Sequence, residues 1–210
     1  GGDIALSSNL NATASGASIS IKATGNITQT ISVCVTTNSG NVTYWSDSDS
    51  SGSGAIVLES NANITTSGGN ITFGGGSNPL TGYAFASANS GNYLSGIALL
   101  SGSKLSSGGG NITLHGQSAL SVLAVSSGIY GEGATIDAGA GVVSLSGKYA
   151  NASAIVTNAQ AITFGNVSIY SNNTAAQAIS IVGDATNANN GYTSLGVNIY
   201  GTSTIQTNGS

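Results

Sequence analysis

An all-β parallel solenoid is the fold that this 210-residue sequence predicts. Three observations carry the prediction: a recurring apolar–small–apolar triplet, glycine- and asparagine-rich corners between the copies, and no sustained 3.6-residue periodicity. The triplets begin with Ile4-Ala5-Leu6, Ile19-Ser20-Ile21, Ile31-Ser32-Val33, Val42-Thr43-Tyr44 and Ile56-Val57-Leu58. They continue with Ile71-Thr72-Phe73, Ile97-Ala98-Leu99, Ile112-Thr113-Leu114 and Val143-Ser144-Leu145. Ile162-Thr163-Phe164, Val167-Ser168-Ile169, Ile179-Ser180-Ile181 and Val197-Asn198-Ile199 complete them. Period-2 alternation puts the first and third residues on one face and the second on the other. β-Branched residues flanked by Gly, Asn and Ser make these strands and not helical turns. The outer members of each triplet are expected in a lumen, and middle residues such as Ser20, Thr72, Thr113, Ser144, Thr163 and Ser180 outside it.

The corners share a phrase. It reads Ser67-Gly68-Gly69-Asn70-Ile71 and Gly109-Gly110-Asn111-Ile112, with relatives at Gly1-Gly2-Asp3-Ile4, Gly25-Asn26-Ile27 and Gly40-Asn41-Val42. Glycine admits positive φ, and asparagine tolerates it while its amide bonds the local backbone. A corner that leads at once into a strand, many times over, winds a chain into a coil of look-alike units. At about 20 residues per turn, residues 1–210 make a single segment of about ten rungs, a rod of about 50 Å at the usual strand spacing.

Composition removes several classes. Gly, Ser, Asn and Thr supply 110 of the 210 residues, yet 40% of the chain is hydrophobic and only 5% charged, which is not the balance of a disordered chain. One proline and no Gly-X-Y period exclude collagen. Net charge is −4, there is no arginine, and Lys22, Lys104 and Lys148 are scattered, so no nucleic-acid partner is expected. No apolar run approaches the roughly 20 residues of a membrane-spanning helix, so no membrane insertion is expected. The single Cys34 excludes an internal disulfide and a multi-thiolate metal site. No cofactor or metal is expected.

The runs at 67–73 and 109–114 resemble filamentous-haemagglutinin-type adhesins, the large exoproteins of two-partner secretion. The resemblance implies a right-handed parallel β-helix, a bacterial cell-surface or secreted location, and a shaft that carries adhesion. The family's secretion domain often carries Asn-Pro-rich turns; Asn78-Pro79-Leu80 stands mid-chain, so the chain reads as shaft.

Chemistry-bearing residues are few. Tyr44, Trp45, Asp47 and Asp49 lie together in Tyr-Trp-Ser-Asp-Ser-Asp, where an aromatic beside carboxylates suits a sugar face or a calcium ion. A solvated loop anchored by Trp45 is the simpler reading. Gly131-Glu132-Gly133-Ala134-Thr135-Ile136-Asp137-Ala138-Gly139 has the look of a calcium nonapeptide but occurs once, whereas that chemistry needs stacked copies. His115, the only histidine, falls outside the apolar face with no acid near it in sequence, and reads as a surface residue. Cys34 points away from the core, with Ser32, if Ile31, Val33 and Val35 face it. Ten Asn-x-Ser/Thr sequons, at Asn11, Asn26, Asn41, Asn63, Asn70, Asn111, Asn151, Asn166, Asn172 and Asn208, are the chance product of a shaft made of these residues.

The reading is a structural and adhesive module, not an enzyme, of an extracellular surface filament whose partners are further copies of itself. The alternatives are a carbohydrate-binding module using the Tyr44/Trp45 loop on surface glycans and, behind it, a polysaccharide-degrading enzyme. Written tail to head, Ile205, Asn208, Gly209 and Ser210 lead into Gly1, Gly2, Asp3 and Ile4, and the result resembles the internal stretch from Ile64 to Ile71. Both termini look like cuts in a repeat, so stacking end to end is expected to continue the backbone ladder.

Overall fold

The computed structural model describes residues 2–87, 94–119, 126–150, 158–174, 176–186 and 193–207, and it winds the triplets into three parallel sheets around one lumen. The first sheet stacks β1 (Ile4–Leu6), β4 (Ile27–Gln29), β7 (Ile56–Leu58), β11 (Ile97–Leu99), β14 (Ser127–Glu132), β17 (Asn158–Gly165) and β20 (Thr193–Tyr200). The second stacks β2 (Leu10–Ser15), β5 (Cys34–Asn38), β8 (Asn63–Thr65), β12 (Lys104–Ser106), β15 (Thr135–Asp137), β18 (Ser168–Ser171) and β21 (Thr204–Thr207). The third runs β3 (Ile19–Lys22), β6 (Val42–Ser46), β9 (Ile71–Gly75), β13 (Ile112–Gln117), β16 (Val143–Lys148) and β19 (Ile179–Asp184), with the short β10 (Ala84–Phe85) paired beside β13. No α-helix occurs among the described residues.

The rung count differs from the expectation. Among the described residues the chain crosses the first sheet seven times, not about ten. Each turn consumes three strands, of which the second-sheet strand mostly lacks the triplet, and turn length varies: residues 23 apart pair at Asp3 and Asn26, but 41 apart at Asn70 and Asn111. The extra length falls at the corner from third sheet to first, where residues 76–96 separate β9 from β11. Seven strands at the usual spacing give a stack of roughly 30 Å.

Register explains the apolar positions. Ile4, Ile27, Ile56, Ile97, Ile129, Ile162 and Val197 form one column of the first sheet. Leu10, Val35, Ile64, Leu105, Ile136, Ile169 and Ile205 form the matching column of the second. Ile19, Val42, Ile71, Ile112, Val143 and Ile179 do so in the third. Members in the middle turns are fully buried in one core, and each such Ile or Leu stabilises by about 1.5–3 kcal/mol. Ile4, Leu6, Ile19, Ile21, Ile179 and Ile181 are only partly buried, because the terminal turns cover them on one side alone.

Two parts of the alternation fail. Ile31 is 64% exposed: residues 30–33 turn a corner, Ser32 takes φ 59°, and the strand starts only at Cys34. Among the middle residues, Thr72 and Thr163 are buried where exposure was expected; Thr163 Oγ1 is 2.8 Å from Ser127 Oγ on the neighbouring strand. Ser20 is exposed and Thr113, Ser144 and Ser180 are half-buried, as outward residues of a covered sheet.

The Gly-Asn phrase is a stacking device between second and third sheets. Asn41 Oδ1 accepts the Asn70 N–H at 2.8 Å, Asn70 Oδ1 that of Asn111 at 2.7 Å, and Asn111 Oδ1 that of Val142 at 2.9 Å. Beneath them, buried hydroxyls of Thr37, Thr66 and Ser107 donate to the carbonyls of Gly40, Gly69 and Gly110. Glycine is required here by proximity: a Cβ on Gly69 would sit 2.0 Å from the Gly40 oxygen, and one on Gly110 2.1 Å from that of Gly69. Asp3 and Asn26 form a similar ladder at the entry to the first sheet. The sequons at Asn26, Asn41, Asn70 and Asn111 therefore have a structural origin: a ladder amide, a lumen Ile or Val, and a second-position Thr.

Candidate functional site

The Tyr44–Asp49 segment is divided by the pleat of β6. Tyr44 points into the lumen, fully buried, stacked on Phe73 with ring centroids 4.9 Å apart, and donates its hydroxyl to Gln29 Oε1 at 2.7 Å. Burial pushes this phenol far above the ordinary tyrosine range. Gln29 in turn donates to the carbonyls of Val33 and Asn63. Tyr44 is thus not part of a surface loop. Trp45 faces outward, half-buried; its indole Nε1 donates to the Gly76 carbonyl at 2.6 Å, and Lys22 Nζ lies 3.8 Å from the ring centre.

The two aspartates shape the turn after β6. Asp47, almost fully buried, accepts from the Ser51 hydroxyl and from the amides of Gly52 and Ser53 through one oxygen, Oδ1. Asp49 is exposed and accepts from the Ser51 amide at 3.3 Å. The stretch from Gly131 to Gly139 similarly spends its acids on local contacts. Asp137 Oδ1 accepts the Gly139 N–H at 3.0 Å, and Glu132 accepts from Asn166 Nδ2 and from the Tyr200 hydroxyl, both at 2.7 Å. The Glu132 carboxylate beside it is the main reason that the Tyr200 phenol is pushed up to about 12. Among the described residues no group of three or more His, Cys, Asp and Glu side chains is placed to hold a metal ion.

His115 has neighbours that are invisible in the linear sequence. It stands on the outer face of β13, beside Ser146 in the register of β16. The Tyr83 ring stacks on it with centroids 5.4 Å apart. The Tyr83 hydroxyl is 2.9 Å from Ser146 Oγ, and Lys148 Nζ is 4.4 Å from the Tyr83 ring centre. Lys148 pairs in register with Asp184, whose Oδ1 is held by the amide and hydroxyl of Thr186 and whose pKa those bonds lower. His115 Nδ1 is buried with no hydrogen-bond partner. Burial, and secondarily the Lys148 charge, hold its pKa below the ordinary histidine value, against an opposing contact with the Gly82 backbone. Residues 83, 115, 146, 148 and 184 come together only through the stacking of turns. Aligning the strands of the third sheet by their glycines, Gly116, Gly147 and Gly183, is the sequence signal that would have aligned four of them.

Cys34 opens β5 facing outward, half-buried, with its N–H donated to Asn9 Oδ1 at 2.8 Å. At the ends of the stack, Asp3 accepts from Asn26, while Val197, Ile199, Tyr200 and Ile205 lie exposed along β20 and β21. Gly1, Asn208, Gly209 and Ser210, like Asn151, lie outside the described residues. The tail-to-head match has a different geometry from its internal template. Ile64 lies in the second sheet and Ile71 in the third, but Ile205 lies in the second and Ile4 in the first. A junction of that form would pass over the third sheet.

Together the fold and these faces define the class: a three-sided parallel β-solenoid with an aliphatic lumen, hydroxyl- and amide-rich sides, and apolar end turns. No family model matches the chain, and neither a curated protein nor a solved structure matches it. No helix among the described residues is long and apolar enough to cross a membrane.

Proposed function

We propose that this solenoid is a structural module of an extracellular bacterial surface filament, with its turns continued beyond both end faces and with no catalytic role. The single observation that carries the reading is the state of the end turns. Val197, Ile199 and Ile205 lie exposed at one end, in columns that are buried one turn earlier at Ile162, Phe164 and Ile169, and the edge backbones of β20 and β21 have no further strand to pair with among the described residues. Such an edge is a template for the next strand. Right-handed winding is the expected hand, since parallel strand crossovers almost always take it. The resemblance of the Gly-Gly-Asn-Ile-Thr runs to filamentous-haemagglutinin-type adhesins supports the surface location and the shaft role.

The next turn can come from the same polypeptide or from another copy. In either case it must supply a strand above β19, because the third sheet has one fewer full-width strand than the other two. Immunogold electron microscopy of intact cells, with antibody raised against this segment, tests the reading. Label along thin surface filaments is the expected result. Label confined to the cytoplasm, or to globular surface particles with no filament, overturns it.

A further inference from the structure

We propose that residues 76–87 form a strap latched over the third sheet by Tyr83, and that protonation of His115 opens the latch. The strap leaves β9, turns at residues 76–83 and returns as β10 along β13. Its tight turn is held by the Asn78 carbonyl, which accepts from the amides of Thr81 and Gly82. It lies directly on the end of β9, where a Cβ on Gly74 would be 2.1 Å from the Pro79 carbonyl and one on Gly75 2.4 Å from that of Tyr83. Beyond these backbone contacts, the strap's one long polar side chain is Tyr83, and it reaches across two turns to His115, Ser146 and Lys148.

Protonation attacks that contact at its centre. An imidazolium donates from both nitrogens, and Nδ1 of His115 is buried with no acceptor. A buried charged donor without a partner is expensive, and opening the strap gives it water. The strap's own Gly82 backbone favours the charged form and offsets part of this cost, burial being the larger effect. The charged groups on the neighbouring strands add to that cost by opposing a second cation. Lys148 on β16 acts on His115 directly, and Asp184 on β19 faces Lys148 with its Oδ1 already engaged by Thr186. Neither β9, β10 nor the 76–83 turn brings an acid to the site. The latched state favours neutral histidine, so the released state binds the extra proton more readily. Latching is therefore undiminished above the ordinary histidine value of 6.5 and weakens as pH falls below it.

The molecule contains its own reporter. Trp45, the only tryptophan, donates its indole N–H to Gly76 at the root of the strap. Hydrogen exchange of residues 76–87, corrected for intrinsic rate and referenced to the core strand Ile112–Leu114, is measured from pH 8 to pH 5 together with the Trp45 indole NMR signal. The expected result is a severalfold loss of strap protection toward pH 5 with the core unchanged, and a shift of the indole signal over the same range. His115→Gln should abolish that pH response, and Tyr83→Ala should lower the protection of the 76–83 turn at every pH, while the Phe85 and Ala86 amides, bonded to Gly54 and Gln117, stay protected with the core. Strap protection that is constant across the range, or a response that persists in His115→Gln, overturns the proposal.

Discussion

Tyr44 carries a hydroxyl into an aliphatic lumen, and Gln29 makes the position tolerable by accepting from it while donating to two carbonyls. Tyr44→Phe leaves the buried Gln29 oxygen without its donor and should cost about 1–3 kcal/mol in urea unfolding. Gln29→Leu strands the Tyr44 hydroxyl and removes a donor from the carbonyls of Val33 and Asn63, and should cost more than Tyr44→Phe in the same measurement. The pH dependence has a definite sign. Burial raises the folded-state pKa of Tyr44 above its ordinary value of 10.0, so its contribution is intact below pH 10.0 and is lost as the unfolded phenol ionises above it. Tyr44→Phe should flatten the alkaline limb of the stability profile.

At the scale of the element, the corner between second and third sheets divides its work among three residue types. The hydroxyl of Thr66 satisfies a buried carbonyl, Gly69 permits close stacking, and Asn70 receives the next turn. Asn70→Ala removes one partly solvated hydrogen bond and should cost about 0.5–1.5 kcal/mol. Gly69→Ala forces a methyl against the Gly40 carbonyl, which belongs to backbone and cannot swing aside. It should cost more, about 1–3 kcal/mol or above, and it should loosen hydrogen-exchange protection in both β6 and β9. Equal costs for the two variants would mean that the corner is not limited by close approach.

For the whole molecule, stability is a sum over neighbouring turns, and the terminal turns have a neighbour on one side only. The exposure of Val197, Ile199 and Ile205 is the consequence. A solution of residues 1–210 should therefore self-associate with rising concentration in sedimentation experiments. Val197→Lys with Ile199→Lys should reduce that association, because a charge on an open edge opposes strand addition. Self-association that is undiminished in this double variant would place the contact on the sides of the rod and not at its ends.

How much of this was legible in the sequence follows from range. Period-2 alternation and corner chemistry act over a few residues, so the solenoid class, the strands of the third sheet and most of the first could be read directly, whereas the second-sheet strands, which bring single lumen residues such as Val35, Ile64, Leu105 and Ile136, mostly lack the triplet. The role of Asn70 and Asn111 was half legible: their recurrence was plain, but the bond between them spans 41 residues. The number of turns is smaller than the spacing of triplets suggests because each turn also takes a second-sheet strand that mostly lacks the triplet, and the excursions at one corner have no periodic signature. Ile31 imitates a strand residue and is a corner, since positive φ at Ser32 is decided by the turns above and below. Tyr44 and Trp45 are adjacent in sequence yet the pleat sends one to the lumen and the other to the strap. The gathering of Tyr83, His115, Ser146, Lys148 and Asp184 belongs wholly to tertiary structure. Their separation along the chain depends on loop lengths, and only the register of stacked backbones, maintained by hydrogen bonds between turns, turns those lengths into proximity.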